Sequence, residues 1–423
     1  MKKLLTTLLI FLIFTPYSSA IVEDEKISLQ NAIEIALKTN PQIKSKKIDT
    51  EIAKNDIKSA NKLQNPSIGI FQNIGKTRYG NPQELGVKYN IELFKRGKRK
   101  NLAKSNYIAI KNSEKISQYD LILEVKKAYI DFLLRKSNLK IIQEEQNLAY
   151  QLYKTAKNSK VPEPDLIEAK IALNRSIMKT NTAKTQVIFA QNNFNTIMNT
   201  SNINYDTKED ELSDDYVSLL AIKPEEDNLD FEKAKEYALN NRADILKAKQ
   251  LVESAEKNLS VIKSKLIPNL EIEGGWQYEA SSSSDNGKFQ SGAFAGVFLK
   301  DIPLIYQYRP EIKNAKLEIE KAQLNYEDIK IDAIRNITDA WEKYTIAKDN
   351  LIFYNKELLQ DSKNLLSASK RSLDKNENDV TSFLVAKKLY FELMLGYKQS
   401  LADYYTSYAE LSKELSLNYN LNW

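Results

Sequence analysis

The 423-residue sequence contains neither cysteine nor histidine. These two side chains provide most transition-metal ligands and many of the nucleophiles and general bases of enzymes. The composition therefore argues against a transition-metal site and against the common kinds of enzyme chemistry, and no metal, cofactor or enzymatic activity is expected. Without cysteine there is no disulfide and no thiol for a lipid anchor, so an exported form must be stabilised by packing or assembly.

Glycine and proline are also scarce, at 11 and 10 residues. Because both residues interrupt helices, their scarcity predicts long helices. Neither occurs between about Lys98 and Lys157. A helix of about 60 residues is about 90 Å long at a rise of about 1.5 Å per residue. Three further long helices are predicted over about 312–372, 165–200 and 380–417.

Long apolar runs are missing too, since no run reaches the roughly 18 residues of a transmembrane helix. The run from Leu4 to Phe14 spans only about eleven residues. It follows two lysines and precedes small residues that end at Ala20. This order predicts a secretory signal peptide over residues 1–20. The alternative is an amphipathic N-terminal helix of a cytosolic protein.

One segment of the chain occurs twice, at 29–43 and 231–245, and the correspondence continues downstream at a constant spacing. The matching pairs include Ala32 and Ala234, Ala36 and Ala238, Ala53 and Ala255, and Pro66 and Pro268. Because the period is far too long for a solenoid, it predicts a duplicated half-protein. The predicted parts are a first repeat at 21–200, an acidic linker at 201–229, a second repeat at 230–417 and a tail at 418–423.

Each half also contains a stretch of alternating apolar and polar residues, at 85–93 and 270–279. A period of two predicts a strand with one apolar and one polar face. About 9–10 residues suit a tilted transmembrane strand. Together with less regular partner strands at 67–74 and 289–300, these stretches predict hairpins over about 66–94 and 268–300.

The two faces of these strands carry different side chains. The apolar set is predicted to face lipid and comprises Leu85, Val87, Tyr89, Ile91, Leu93, Leu270, Ile272, Trp276 and Tyr278. The polar set is predicted to face a lumen and comprises Lys88, Asn90, Glu92, Glu271, Glu273 and Gln277. An open sheet edge is not tolerated in lipid, so several chains would have to pool their strands. The alternative is two solvent-exposed hairpins on a soluble protein.

The long helices carry apolar residues on heptad spacings, and some carry two such stripes. On the last helix one stripe contains Leu384 and Leu395, and another contains Phe383. Two stripes predict neighbours on both sides, whereas a solitary coiled-coil rod needs only one. The helical hairpins are predicted to turn at tips of about 159–164 and 374–379, where proline or turn-forming residues interrupt the helix.

The order of short helices, strand hairpin, long helix, tip and return helix occurs twice after the signal peptide. It resembles the TolC-type outer-membrane efflux protein family over about residues 25–417. The supporting motifs are Asn40-Pro41, Asn65-Pro66, Pro268 and the run from Phe94 to Arg99. The resemblance implies a mainly α fold with a small β part. Duplicated long helical hairpins form an α-barrel tunnel, and three protomers pool four strands each into one transmembrane β-barrel.

The resemblance also implies the function and the partners. The chain is expected to be a homotrimeric exit duct in the outer membrane of a Gram-negative-type cell, with a long periplasmic extension. It would passively conduct substrates from an inner-membrane pump through a periplasmic adaptor (a membrane fusion protein). The alternatives are the exit duct of a type I protein secretion system and a non-pore periplasmic coiled-coil scaffold.

Two further stretches bear on cargo and partners. Residues 302–315 are similar to the heavy-metal-efflux branch of the family, which serves resistance-nodulation-division pumps. The basic cluster from Lys95 to Lys100 is interpreted as a turn at the edge of outer-membrane lipid. No nucleic-acid partner is predicted, because the chain is exported and the cluster lies at the exit of a strand hairpin.

The family constricts its periplasmic mouth with acidic rings just after the second tip. Those positions hold Ser382 and Val385 here, so the family's acidic residues are not carried over. The acidic side chains around both tips are the aperture candidates instead: Asp165, Glu168, Asp374, Glu377 and Asp379. An acidic ring would favour cations electrostatically, whereas the alternative is a solvated acidic loop.

Overall fold

The computed structural model describes residues 25–72, 83–158, 162–200, 204–224, 229–279, 290–354, 358–374 and 380–416. Its mainly helical composition with a small β part confirms that prediction. The first half contains β1 (Glu25–Ile27), α1 (Leu29–Thr39), α2 (Pro41–Ala60), β2 (Ser67–Gln72), β3 (Gln83–Ile91), α3 (Lys95–Asn158), α4 (Glu163–Ile197) and β4 (Tyr205–Thr207). The second half contains α5 (Phe231–Asn241), α6 (Ala243–Ser264), β5 (Asn269–Glu279), β6 (Gln290–Lys300), α7 (Arg309–Phe353), α8 (Leu359–Asp374) and α9 (Val380–Glu414).

A pair of short helices opens each half. Ser28 accepts a backbone hydrogen bond at the start of α1, and the Asn40 side chain accepts two at the start of α2, where Pro41 is the first residue. These are favourable helix-start residues because they satisfy free N–H groups or lack one. In the second half Asp230 caps α5 in the same way. Arg242, however, makes no side-chain cap at the junction of α5 and α6.

The main sheet combines the strands of both halves in the order β2-β3-β5-β6, with every neighbouring pair antiparallel. Its centre is the pairing of β3 with β5, which runs from Gln83 opposite Tyr278 to Ile91 opposite Leu270. Strands β2 and β6 therefore form the two edges. Neither edge pairs with another strand in the ranges given above.

The largest hydrophobic core lies in the middle of the helical part, where α3 packs against α4, α9 and α1. Tyr129 and Leu133 of α3, Phe194 of α4 and Leu401 of α9 are all completely buried there. Burying one such side chain contributes about 1.5–3 kcal/mol relative to exposing it. This midsection is a conventional core within a single chain.

The segment predicted as a linker packs against the midsection. Strand β4 pairs in parallel with β1, and Leu212 is fully buried. The backbone N–H of Leu212 donates to Ser137 Oγ at 2.7 Å, and the Tyr405 hydroxyl donates to the Ser213 carbonyl at 2.8 Å. Neither β1 nor β4 was predicted. Each strand has only three residues, which is too short to show a periodicity, and the two strands are far apart in the sequence.

The helices follow the predicted ranges. Within the stretch predicted as one helix over 312–372 the structure describes α7 and α8, and residues 355–357 between them lie outside the described residues. Near the far end of the helical hairpins a second apolar cluster joins Leu152 and Ala156 of α3, Ala169 of α4 and Phe383 of α9. None of the helices in the described ranges has the combination of length and apolar character needed to cross a membrane.

Candidate functional site

The register of the central strands places the predicted lipid-facing residues on one side of the sheet. Leu85 lies opposite Trp276, and Tyr89 lies opposite Ile272. In a single chain the side chains of Leu85 and Trp276 are 54% and 53% exposed. A continuous apolar face of this kind is unfavourable in water and is typical of a surface that contacts lipid or protein.

The edge strands extend this apolar face. Ile68 and Ile70 of β2 pair with Val87 and Leu85, so all four side chains point the same way. Ile70 is 78% exposed. The corresponding residues of β6 are Val297 and Leu299, which pair with Ile272 and Leu270. Sequence reasoning did not assign these edge residues, because neither edge strand alternates strictly.

Charged side chains on the opposite face form ion pairs. Lys88 Nζ lies 3.1 Å from Glu273 Oε1, and Lys300 Nζ lies 2.8 Å from Glu271 Oε2. The two carboxylate side chains are mostly shielded from solvent, at 14% and 16% exposure. The predicted lumen-facing Gln277 lies on this side as well, opposite Glu84.

Two of the predicted strand residues, Glu92 and Leu93, lie beyond the end of β3 and not within it. The chain turns there through Phe94, whose φ of 60° is left-handed, and then enters α3. Glu92 still binds polar neighbours, since it accepts hydrogen bonds from Gln64 at 2.9 Å and from Arg99. In the sequence, the alternation of apolar and polar residues extends past β3 to Glu92 and Leu93, because residues of a turn can match this pattern by chance.

Aromatic residues also lie on the polar face, and sequence reasoning missed them. Phe71, Phe294 and Phe298 are opposite Glu84, Gly275 and Glu271. Each ring lies over glycine, because a Cβ added at Gly69, Gly275 or Gly296 would approach the neighbouring ring to 2.8–2.9 Å. Glycine inside a strand often marks such a close approach, so these glycines were the available signal.

The register requires a glycine at one of these positions in particular. A Cβ added at Gly275 would lie 2.1 Å from the backbone oxygen of Leu85 and 2.7 Å from the Cα of Gly86. Both contacts are with backbone atoms, which cannot move aside as the end of a side chain can. The close pairing of β3 with β5 at this level therefore depends on Gly275.

The aperture candidates are only partly described. Asp165 lies in the first turn of α4, where the helix dipole favours a negative charge. Glu168 lies one turn further on, with its Oε2 3.5 Å from the Thr381 hydroxyl of α9. Asp374 ends α8. The side chain of Asp374, together with Glu377 and Asp379, lies outside the described residues.

Buried charges connect the helices at two other places. Arg242 donates to Asp244 Oδ2 at 2.7 Å and also binds the Glu414 carboxylate at the end of α9. Burial acts to raise the pKa of Asp244, but the hydrogen bonds and charge of Arg242 outweigh it and hold that pKa below its usual value. Lys387 of α9 is only 4% exposed. Its burial lowers its pKa, although the nearby Glu145 acts in the opposite direction.

The described residues contain no group of three or more acidic side chains close enough to hold a metal ion. The geometry provides a sheet with one apolar and one polar face, joined to long helical hairpins.

Comparison with known proteins agrees with this geometry. The family model of the outer membrane efflux proteins matches residues 236–415, in the second half. No protein among the curated ones matches the sequence. Over 95% of each chain the fold is similar to that of CusC, described as forming a transmembrane channel, with 15% identity and a TM-score of 0.72.

Two other outer membrane proteins share the fold. One is the open state of the channel MtrE of Neisseria gonorrhoeae, at 16% identity and a TM-score of 0.71 over 92% of this chain and 88% of that one. The other is VceC of Vibrio cholerae, at 13% identity and a TM-score of 0.68 over 92% of this chain and 95% of that one. The resemblance predicted from the sequence is confirmed. None of these matches distinguishes the heavy-metal-efflux branch.

Proposed function

We propose that this chain, with an outer membrane efflux protein match in its second half and the fold of outer membrane channels over its length, forms an efflux duct. In this proposal three copies pool their strands into one outer-membrane barrel. The long helices extend the duct into the periplasm, towards an adaptor and an inner-membrane pump. The duct is passive and carries out no covalent chemistry.

The observation that carries the proposal is the open four-stranded sheet. Its apolar face is exposed in the single chain, and both of its edges are unpaired within the described residues. Each condition is unfavourable in isolation, because lipid tolerates no open edge and water disfavours an apolar face. A closed barrel in a bilayer removes both at once.

The strand directions permit this closure. The four strands alternate in direction, so β6 of one copy runs opposite to β2 of the next and can pair with it antiparallel. Nine residues in β3 and eleven in β5 match the roughly 9–11 residues of a tilted transmembrane strand. Three identical joints would close the ring with no edge left over.

The proposed mouth lies at the helix tips, where Asp165, Glu168, Asp374, Glu377 and Asp379 are the aperture candidates. The support is the contact between Glu168 of α4 and Thr381 of α9 and the apolar cluster beside it, because both lie within a few residues of the predicted tips. The heavy-metal-efflux branch stays a prediction from residues 302–315.

Current recordings in planar bilayers test the proposal. The purified chain should produce channels with one dominant conductance, and the double variant Asp165→Asn, Glu168→Gln should lower the permeability of K⁺ relative to Cl⁻. The matched control is Glu163→Gln, which removes a charge at the exposed start of the same helix. If no channel forms, the efflux duct is excluded and a periplasmic scaffold takes its place. An unchanged ion preference would remove only Asp165 and Glu168 from the mouth.

A further inference from the structure

The four connections between the sheet and the helices lie at one end of the sheet. The first residue of β5, Asn269, is opposite the last residue of β6, Lys300, and β3 ends beside them at Ile91. Strand β2 begins at the same end, because it is antiparallel to β3. We call this part of the chain the collar and define it as residues 61–66, 92–100, 265–268 and 300–311.

Hydrogen bonds join the four connections to one another. Asn269 Oδ1 accepts from Lys95 Nζ at 2.7 Å, and Asn269 Nδ2 donates to Asp301 Oδ2 at 3.0 Å. Arg96 Nε donates to Asn61 Oδ1 at 3.3 Å. The collar is therefore one ordered surface and not four independent loops.

Each of the four connections exposes large apolar side chains. Ile305 is completely exposed, and Leu304 is 79% exposed. The full set comprises Leu63, Phe94, Leu266, Ile302, Leu304 and Ile305. Apolar side chains exposed together at one level indicate a surface that contacts lipid or protein.

The apolar face of the sheet continues into the collar. On β6 this face ends with Val297 and Leu299, which are both exposed, and Ile302 follows soon after Leu299. At the end of β3 the chain leads directly to Phe94. If the face of the sheet contacts lipid, as proposed above, the collar lies at the boundary between lipid and water.

The connection between β6 and α7 has the aromatic and cationic side chains that such a boundary favours. The Tyr306 hydroxyl donates to Glu311 Oε1 at 2.6 Å, and the rings of Tyr306 and Tyr308 lie 5.1 Å apart, centroid to centroid. Lys265 Nζ lies 5.7 Å from the centroid of the Tyr308 ring. Tyrosine is enriched where a protein crosses from lipid to water, because its ring is apolar and its hydroxyl is polar.

The collar is also strongly basic. It contains nine lysine or arginine residues and three acidic ones, an excess of six, which equals the excess of the whole chain. Each acidic residue accepts a hydrogen bond from within the chain: Glu92 from Arg99, Asp301 from Asn269, and Glu311 from Tyr306. Six of the cations form no ion pair in the part of the chain that the structure describes: Lys62, Arg96, Lys98, Lys100, Lys265 and Arg309.

We propose that the collar binds anionic phospholipids of the periplasmic leaflet. The apolar side chains of residues 302–305 enter the acyl chains next to the headgroups, and the cations contact the headgroup phosphates. Basic residues near a membrane surface attract anionic lipids in this way. The inference rests on the proposed function, because only a barrel with its helices in the periplasm places the collar at this leaflet.

A second copy of the chain is the other candidate to cover the collar, and the charges favour lipid. The collars of three copies would lie at one level and carry charge of the same sign, so they would repel one another. Anionic headgroups between them would neutralise this charge.

The position of the collar can be measured with spin labels, because the chain has no cysteine and a single introduced one carries the only label. The protein is reconstituted in vesicles of phosphatidylcholine and phosphatidylglycerol, and collisions of the label with oxygen and with a water-soluble nickel chelate are compared. Ile305→Cys reports on the collar, Val87→Cys on the middle of the apolar face and Lys184→Cys on the exposed side of α4. The label at 305 should be shallower than that at 87 and more accessible to oxygen than that at 184.

The other outcomes separate this inference from the proposed function. If the label at 87 lies in lipid but that at 305 is as accessible to nickel as that at 184, the inference alone is overturned. A label at 305 that is shielded from both reagents would mean that a second copy covers the collar, which also overturns it. If the label at 87 is in water, no barrel has formed and both proposals fall.

The contribution of the cations is tested by the relative association of spin-labelled phosphatidylglycerol and phosphatidylcholine with the protein. The double variant Lys265→Gln, Arg309→Gln should lower the preference for phosphatidylglycerol, by up to about 5-fold for each cation removed. The matched control is Lys170→Gln, Lys184→Gln, which removes two exposed cations from α4 and should leave the preference unchanged. An equal preference in the collar variant and the unaltered protein would overturn the inference.

Discussion

The helical midsection and the sheet differ in where their apolar side chains lie: the midsection buries them, and the sheet exposes them. In the midsection Tyr129, Leu133 and Phe194 are completely buried within one chain. In the sheet, Ile70 and Leu85 are 78% and 54% exposed, while the charged residues of the other face are paired and shielded. The core of the midsection is therefore complete within one chain, whereas in the proposed barrel lipid and other copies cover the sheet. Substitutions that behave differently in the two regions test this contrast.

The largest effect is expected in the midsection. Phe194 is fully buried and lies 5.5 Å from the Tyr129 ring, centroid to centroid. Phe194→Ala should lower the free energy of unfolding of the helical part by about 3–5 kcal/mol, because it removes apolar contacts and leaves a cavity. Thermal unfolding followed by far-ultraviolet circular dichroism measures it. Leu85→Ala on the sheet is the matched control, and an equal loss of stability there would contradict the contrast.

Removing the cation of a charged pair should also cost more stability in the midsection than in the sheet. Arg242 binds Asp244 and Glu414 with its side chain only 10% exposed, whereas the Lys88 side chain in its pair with Glu273 is 34% exposed. Arg242→Ala should cost about 3 kcal/mol, because it leaves two carboxylates poorly solvated. Lys88→Ala should cost less, about 1–2 kcal/mol, because it leaves a single shielded carboxylate, Glu273, without its partner. The same unfolding measurement decides this, and comparable losses would mean that Lys88 is also part of a buried network.

A lysine introduced on each side of β3 compares the two faces of the sheet. Val87→Lys places a charge on the apolar face near the middle of the strand and should destabilise the membrane-inserted form by about 2–4 kcal/mol per chain. Asn90→Lys, on the polar face, should be tolerated. Assembly in detergent, measured by native gel mobility, distinguishes the two variants. Equal assembly of both would mean that the apolar face does not contact lipid.

The smallest effect concerns Lys387, a charge buried on α9 one turn from Phe383 of the second apolar cluster. Its lowered pKa means that folding disfavours its proton, so the cost is fully present at neutral pH and disappears as the pH rises to the unfolded value near 10.5. Lys387→Met should therefore raise stability at pH 7, and its advantage should shrink towards pH 10.5. Urea unfolding at pH 7, 9 and 10 tests this. A constant advantage would show that packing, and not charge, is responsible.

The parts of the fold that carry a local pattern could be predicted from the sequence. Asn40-Pro41 indicated a helix junction, and the structure has one there. The alternation at 85–93 indicated β3, which spans Gln83–Ile91. Long stretches without glycine and proline indicated α3, which spans Lys95–Asn158. In each case the residues that determine the helix or strand lie within one short stretch of the sequence.

The parts that depend on contacts between distant residues could not be predicted. Phe71 interrupts the alternation of a weak strand, and only the pairing of β2 with β3 places it on the polar face, opposite Glu84. The contact of Arg242 with Glu414 joins residues far apart in the sequence. The packing of β4 against β1 has the same character, because each strand has only three residues. Such features depend on how distant segments pair and pack, and the periodicity of a single segment gives no information about that.

In the proposed assembly the sheet of one chain is incomplete, and three copies complete it. The most direct measurement is the protein mass of the membrane-extracted assembly, by light scattering corrected for bound detergent. The account predicts three times the mass of one mature chain. A monomer that remains in solution without detergent would contradict it, because the apolar face of the sheet would then have no lipid and no second copy to cover it.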